Sequence, residues 1–278
     1  MKIGFLRKFY PLINKSSKNI KWRPLTDNEL DISMKEPQMI ANCYDDATRY
    51  SLLASTKGRD TFRKRVKIQK NRYKDPAYKI NLNIKGKNEV YTSKTSDYFQ
   101  NFYDIYRNFN SIPEDTVESG FPAKLGLGTS IGISKMISKH PGQKPLISRL
   151  YLWPFFENRN CEFNKPSNAF RWYTGIEPTT IGESGLNQTL KQHKEEAIQT
   201  LEQLGESSNK DYSFVAISGG KKPKNGAKWH CYPILNVDKN NRNVTVLNKR
   251  TNENITMSFD KVVETFKSLV GINWKSQG

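Results

Sequence analysis

Cysteine and histidine are the scarcest reactive residues of this chain, with three of each among 278 residues. Cys43, Cys161 and Cys231 are odd in number, widely spaced and contain no CxxC pair. That excludes a disulfide framework and a cysteine-based zinc site, and points to thiols of a reducing, cytoplasmic compartment. Acidic residues are also few: 27 Asp and Glu stand against 45 Lys and Arg, a formal net charge of +18. Long apolar runs are missing, so no membrane-spanning segment is expected. The opening Met1 to Tyr10 is interrupted by Lys2, Arg7 and Lys8 and does not read as a secretory signal. Export into a host cell without a cleavable signal, as a secreted effector, stays open.

The positive charge is densest from Lys57 to Lys74, where Lys57, Arg59, Arg63, Lys64, Arg65, Lys67, Lys70, Arg72 and Lys74 meet the single acid Asp60. A solvated basic face accounts for this. The competing reading is contact with an anionic partner, whether nucleic acid, a membrane surface or an acidic protein, although no nucleic-acid module is recognisable. The glycines of Gly219 to Lys228 precede a strand rather than a helix and do not fit a phosphate cradle. No metal site and no cofactor are expected.

The chain is long enough for a substantial core without covalent staples. Periodicity predicts a helix over 41–54 with Ala47, Tyr50, Ser51 and Ala54 on one face, a hairpin from Tyr78 to Tyr91 turning at Lys85-Gly86, and an aromatic helix over 96–109. Further helices are predicted over 128–138, 183–204 and 259–270, and strands over 213–218, 228–238 and 243–247. Helices thus concentrate early and strands late, which divides the chain into an N-terminal arm (1–30), a helix-rich subdomain (31–145) and a sheet-rich subdomain (146–278).

His140, before a proline, and His193, in a charged helix, need no functional explanation. His230 falls in the apolar run Lys228 to Asp238, where a strand would hold its imidazole rigidly, a setting suited to acid-base work. Cys43 is the best nucleophile available, because a helix start stabilises a thiolate. Asp45 and Asp46 oppose that charge unless they project away from the sulfur. Cys231, one residue along the strand from His230, is expected to face the other way.

The order Cys, His, Asn carries a resemblance. Gln38-Met39-Ile40-Ala41-Asn42-Cys43-Tyr44 with Ser51-Leu52-Leu53-Ala54, the run Lys228 to Asp238, and Val244-Thr245-Val246-Leu247-Asn248 resemble the calpain-like branch of the papain-type cysteine peptidases over roughly residues 36 to 270. The resemblance implies a papain-like α+β fold, with a helical subdomain and a twisted antiparallel sheet subdomain flanking the active site. It also implies Cys43 as nucleophile, His230 as general base, Asn248 as orienter of the imidazole and Gln38 as an oxyanion-hole donor. Gln38 lies five residues before Cys43 where the family places its glutamine six before, and Lys249-Arg250 stand where the family has Pro-Trp.

Hairpin register bears on this set. Pairing Asp238 with Asn243 turns Asn248 to the wrong face for His230, whereas pairing Asp238 with Val244, or a β-bulge, puts both on one face. The expected activity is that of a cysteine peptidase acting on a protein substrate through an acyl-enzyme. A glutamine deamidase or transglutaminase with the same triad, and an inactive basic module binding nucleic acid or anionic membrane, are the alternatives.

Overall fold

The computed structural model describes residues 20–35, 43–70, 77–94, 125–143, 165–182, 189–207 and 211–277. They form a mixed α+β fold with seven α-helices and two antiparallel sheets among the described residues. No helix there is long and apolar enough to cross a membrane.

The smaller sheet orders β1 (Trp22–Pro24), β2 (Val66–Gln69), β3 (Ala77–Ile84) and β4 (Lys87–Lys94) side by side. Its β3–β4 hairpin is the expected one, turning through Lys85 and Gly86, both with positive φ. Tyr78, Ile80, Leu82 and Ile84 alternate into the core. Helix α1 (Asp27–Lys35), α2 (Cys43–Ala54), α3 (Thr56–Arg65), α4 (Leu125–Lys139) and α5 (Pro166–Thr174) surround that sheet. The predicted aromatic helix over 96–109 lies outside the described residues.

The larger sheet runs β5 (Thr179–Ile181), β10 (Phe266–Asn273), β6 (Tyr212–Ser218), β7 (Cys231–Asp238), β8 (Asn243–Asn248) and β9 (Glu253–Ser258), with α6 (Lys194–Gly205) and α7 (Phe259–Thr265) packed on it. Strand alternation sends its apolar side chains to two cores. Val215, Cys231, Val270 and Ile272 join the core of α2 and the small sheet, whereas Phe214, Ala216, Tyr232, Ile234 and Leu269 join that of α6 and α7. The sheet is thus covered on both faces.

Two expectations need correction. The closing helix ends at Thr265, and Phe266–Asn273 is a strand inserted between β5 and β6. A short apolar run buried on two faces satisfies helical and strand periods alike, and here pairing with β6 decided. The small sheet also gives the early half a strand content that the helical pattern had masked.

Helix α2 is fastened to β6. Ser51 Oγ donates to the Phe214 carbonyl at 3.1 Å. Ser55 Oγ and Ser213 Oγ lie 2.7 Å apart, and the Trp274 indole N–H reaches them at 3.0 and 2.9 Å. Gly271, in mid-β10, allows the close approach of β6: a Cβ there would stand 2.2 Å from the Ser213 carbonyl oxygen and 2.4 Å from the Phe214 ring. Gly271→Ala is therefore expected to lower stability by about 1–3 kcal/mol through overpacking. An unchanged urea midpoint would contradict this packing.

Candidate active site

The first residue of α2 is Cys43, where unpaired helical N–H groups and the helix dipole favour a negative sulfur. Two neighbouring residues converge on it from the larger sheet. Cys231 and His230, at and just before the start of β7, are the groups that act on the Cys43 sulfur: each favours its negative form by polar interaction, and the imidazole adds charge attraction. The Cys231 contact is the largest influence. Together these outweigh burial and hold the Cys43 thiol well below its ordinary range. The Cys231 thiol is pushed well above its own, first by its bond to Cys43 and then by burial. Both cysteines are free thiols.

This convergence corrects two sequence expectations. His230 does not lie in a strand but immediately before β7, which begins at Cys231. Cys231 does not turn away from the imidazole side of the site, since both residues reach Cys43. The reason is Trp229, whose φ of 55° places a bulky residue in the left-handed region, a conformation retained only where surrounding structure enforces it. The chain bends there, so strict alternation does not apply between His230 and Cys231.

Ser218 enforces the bend. Its N–H donates to the His230 carbonyl at 2.9 Å, and its hydroxyl accepts from the His230 N–H at 3.0 Å. Tyr232 supports the ring, with centroids 4.9 Å apart at 83°. The Tyr232 hydroxyl also holds the basic loop before His230, accepting from the Ala227 N–H at 2.6 Å and donating to the Ala227 carbonyl at 2.9 Å. Trp229 itself is 48% exposed, with Lys267 Nζ 5.7 Å from its ring. Burial lowers the Lys267 pKa. Neither Lys267 nor Ser218 carries a sequence signature that separates it from ordinary strand residues.

The register question has a definite answer. Asp238 pairs with Asn243, and a bulge between Ile234 and Asn236 shifts the ladder so that Ile234 pairs with Val246. Continued along the strands, that register sets Asn248 opposite Tyr232, whose side chain joins the core of α6 and α7. The Asn248 amide is nevertheless engaged elsewhere. Its Nδ2 donates to the Asn225 carbonyl at 3.1 Å, and its Oδ1 accepts from the Arg250 N–H at 3.1 Å. The buried His230 Nε2 has no hydrogen-bond partner among the described residues. The structure thus brings Cys43, His230 and Cys231 together, and places Asn248 nearby without the imidazole hydrogen bond that the resemblance implies. Gln38 lies outside the described residues, as does Cys161.

Asp45 and Asp46 are engaged by partners in the helical half. Asp45 accepts from Tyr173 Oη and Ser130 Oγ, each at 2.7 Å. Asp46 pairs with buried Arg49 at 3.0 Å, and Arg49 in turn donates to Ser33. The basic window is also partly neutralised internally. Arg59 bonds Asp31 and Arg63 bonds Asp27, while Lys57 caps the Trp274 carbonyl at 3.2 Å. Among the described residues, no three His, Cys, Asp or Glu side chains are arranged to hold a metal ion.

Burial, and secondarily the Asp46 charge, raise the Asp45 pKa to about 6. The native state therefore binds a proton there that the unfolded chain releases from about pH 4 upward. This stabilisation is complete below about pH 4 and is lost as pH rises through about 6. Relative to Asp45→Asn, the wild-type protein is expected to lose ~2–3 kcal/mol between those limits. Parallel urea-stability profiles for the two proteins from pH 4 to 7 would refute this.

Comparison with known proteins returns no match: no family model fits the chain, and no curated protein matches its sequence.

Proposed function

We propose that the chain is a cysteine hydrolase of papain-like design, a peptidase that acts on a protein substrate by way of an acyl-enzyme. The observation that carries this reading is Cys43 at the start of α2, with His230 among the groups that favour its negative form and hold it well below the ordinary thiol range. A low-pKa thiol with an imidazole acting on it pairs a nucleophile with an acid-base group, which is what acyl transfer needs. The packing of that helix on an antiparallel sheet that carries Asn248, with His230 just before one of its strands, supports the reading.

In the proposed reaction the Cys43 thiolate attacks the carbonyl carbon of the scissile amide. Backbone N–H groups at the start of α2 face the developing oxyanion, with Gln38 as the further donor the resemblance implies. The C–N bond breaks as His230 protonates the leaving amine. The neutral imidazole then takes a proton from water, whose oxygen attacks the thioester and releases Cys43 as thiolate.

Cys43→Ala and His230→Ala are each expected to reduce kcat by at least about 10³-fold while leaving the fold intact. Undiminished turnover in either variant ends the proposal. The mass of the product assigns the acceptor chemistry: a cleaved chain for a peptidase, a deamidated glutamine or a cross-link for the alternatives. Independently of substrate, alkylation of Cys43 by iodoacetamide is expected to stay fast below neutral pH. In His230→Ala or Cys231→Ala the rate profile moves up toward the ordinary thiol range near ~8.5. A wild-type profile already in that range would remove the thiolate on which the mechanism depends.

A further inference from the structure

The proposed hydrolysis uses one thiol, yet the site contains two. Cys231 is buried at the start of β7, facing α2 rather than solvent. Helix α2 packs on β7, Cys43 and Cys231 are the first residues of the two elements and share one core, and the two thiols shift each other's ionisation. Acyl transfer has no step for it. A buried, reduced thiol in contact with a reactive one is instead the arrangement that allows an oxidised sulfur to be captured by its neighbour.

We propose that Cys43 and Cys231 form a reversible redox couple, in which a peroxide oxidises Cys43 and Cys231 closes a disulfide that switches the site off and spares the nucleophile. The inference rests on the reading of Cys43 as the reactive sulfur. In the first step the Cys43 thiolate attacks the outer oxygen of the peroxide. The O–O bond breaks, sulfur gives up two electrons, and the departing hydroxide or alkoxide takes a proton from water. Cys43 becomes a sulfenic acid. In the second step the Cys231 sulfur attacks the Cys43 sulfur, the S–S bond forms, and the S–O bond breaks. The hydroxyl leaves with the thiol proton as water.

The order of events follows from exposure. Cys43 is half-buried and Cys231 buried, so a peroxide from solvent meets Cys43 first. Electrostatics favour the second step once the first has occurred. The largest factor keeping Cys231 protonated is its bond to Cys43, and oxidation removes the negative sulfur that made it. Burial then still opposes ionisation, while the Lys267 charge favours it. The bend at Trp229 is what makes the pair possible, since it lets two adjacent residues, base and second thiol, address one sulfur.

The test treats the full chain with hydrogen peroxide, blocks remaining thiols with an alkylating reagent, and maps the digest by mass spectrometry without reduction. The expected product is a Cys43-peptide joined to the Cys231-peptide, two hydrogens lighter than their sum. It should grow as Cys43 alkylation falls, and dithiothreitol should reverse both. In Cys231→Ser the same dose is expected to carry Cys43 on to sulfinic acid, with at least about 10-fold less of it recoverable by dithiothreitol. Wild-type Cys43 that passes to sulfinic acid without a cross-link, or that joins Cys161 instead, overturns the proposal. If Cys231→Ser does not fold, the wild-type map alone decides. A bridge that forms in a protein without hydrolase activity would leave the couple standing and remove the peptidase reading. Hydrolysis by Cys43 without any bridge would do the reverse.

Discussion

Contact between α2 and one face of the six-stranded sheet is the constraint on which this molecule depends. The helix and the sheet strands come from distant parts of the chain, and neither supplies the site alone. Ser51, Ser55 and the Trp274 indole fix the C-terminal half of the helix to β6 by side-chain hydrogen bonds inside the core. Such bonds contribute only about 1 kcal/mol each, but leaving their buried groups unpaired would cost more, so the helix is held in one axial position. Its first residue is then presented to the start of β7 with little freedom.

Charge is partitioned along the same helix. Cys43 faces the sheet and the imidazole, while Asp45 and Asp46 turn into the helical half, where Tyr173, Ser130 and Arg49 receive them. Three groups able to bear negative charge thus occupy four consecutive positions without sharing one environment. The separation relies on the angular step of a helix, about 100° per residue, which sends neighbours to different sides. A strand, with its step near 180°, would have returned Asp45 to the side of Cys43.

Much of this was legible in the sequence, in proportion to how local the determining physics is. The β3–β4 hairpin and helix α2 follow from side-chain period and turn chemistry. Cys43 and His230 stood out because few residues of their type were present and their flanks matched known strand and helix starts. The bulge near Leu235 had been recognised as one of the ways to reconcile the register, but its presence depends on packing across β8. The orientation of Cys231 was misread because alternation was applied from His230, which lies before the strand begins, and the positive φ of Trp229 that precedes it leaves no local mark. Strand β10 was missed for the converse reason: its pattern suits a helix, and only the gap between β5 and β6 makes it a strand. The Asn248 contacts depend on where the loop carrying Asn225 comes to rest, which is a tertiary fact.

Tyr232 joins that loop to His230, since its hydroxyl grips Ala227 while its ring abuts both the imidazole and Phe266. Gly226 beside it has no room for a side chain: a Cβ there would lie 2.7 Å from the Tyr232 hydroxyl oxygen. Lys221, Lys222 and Lys224 belong to the same loop, are exposed and take no part in that grip. Evolution can therefore rewrite the outer rim of the loop while its inner edge stays fixed. The molecule separates a part free to vary from a part that must keep the His230 imidazole in place.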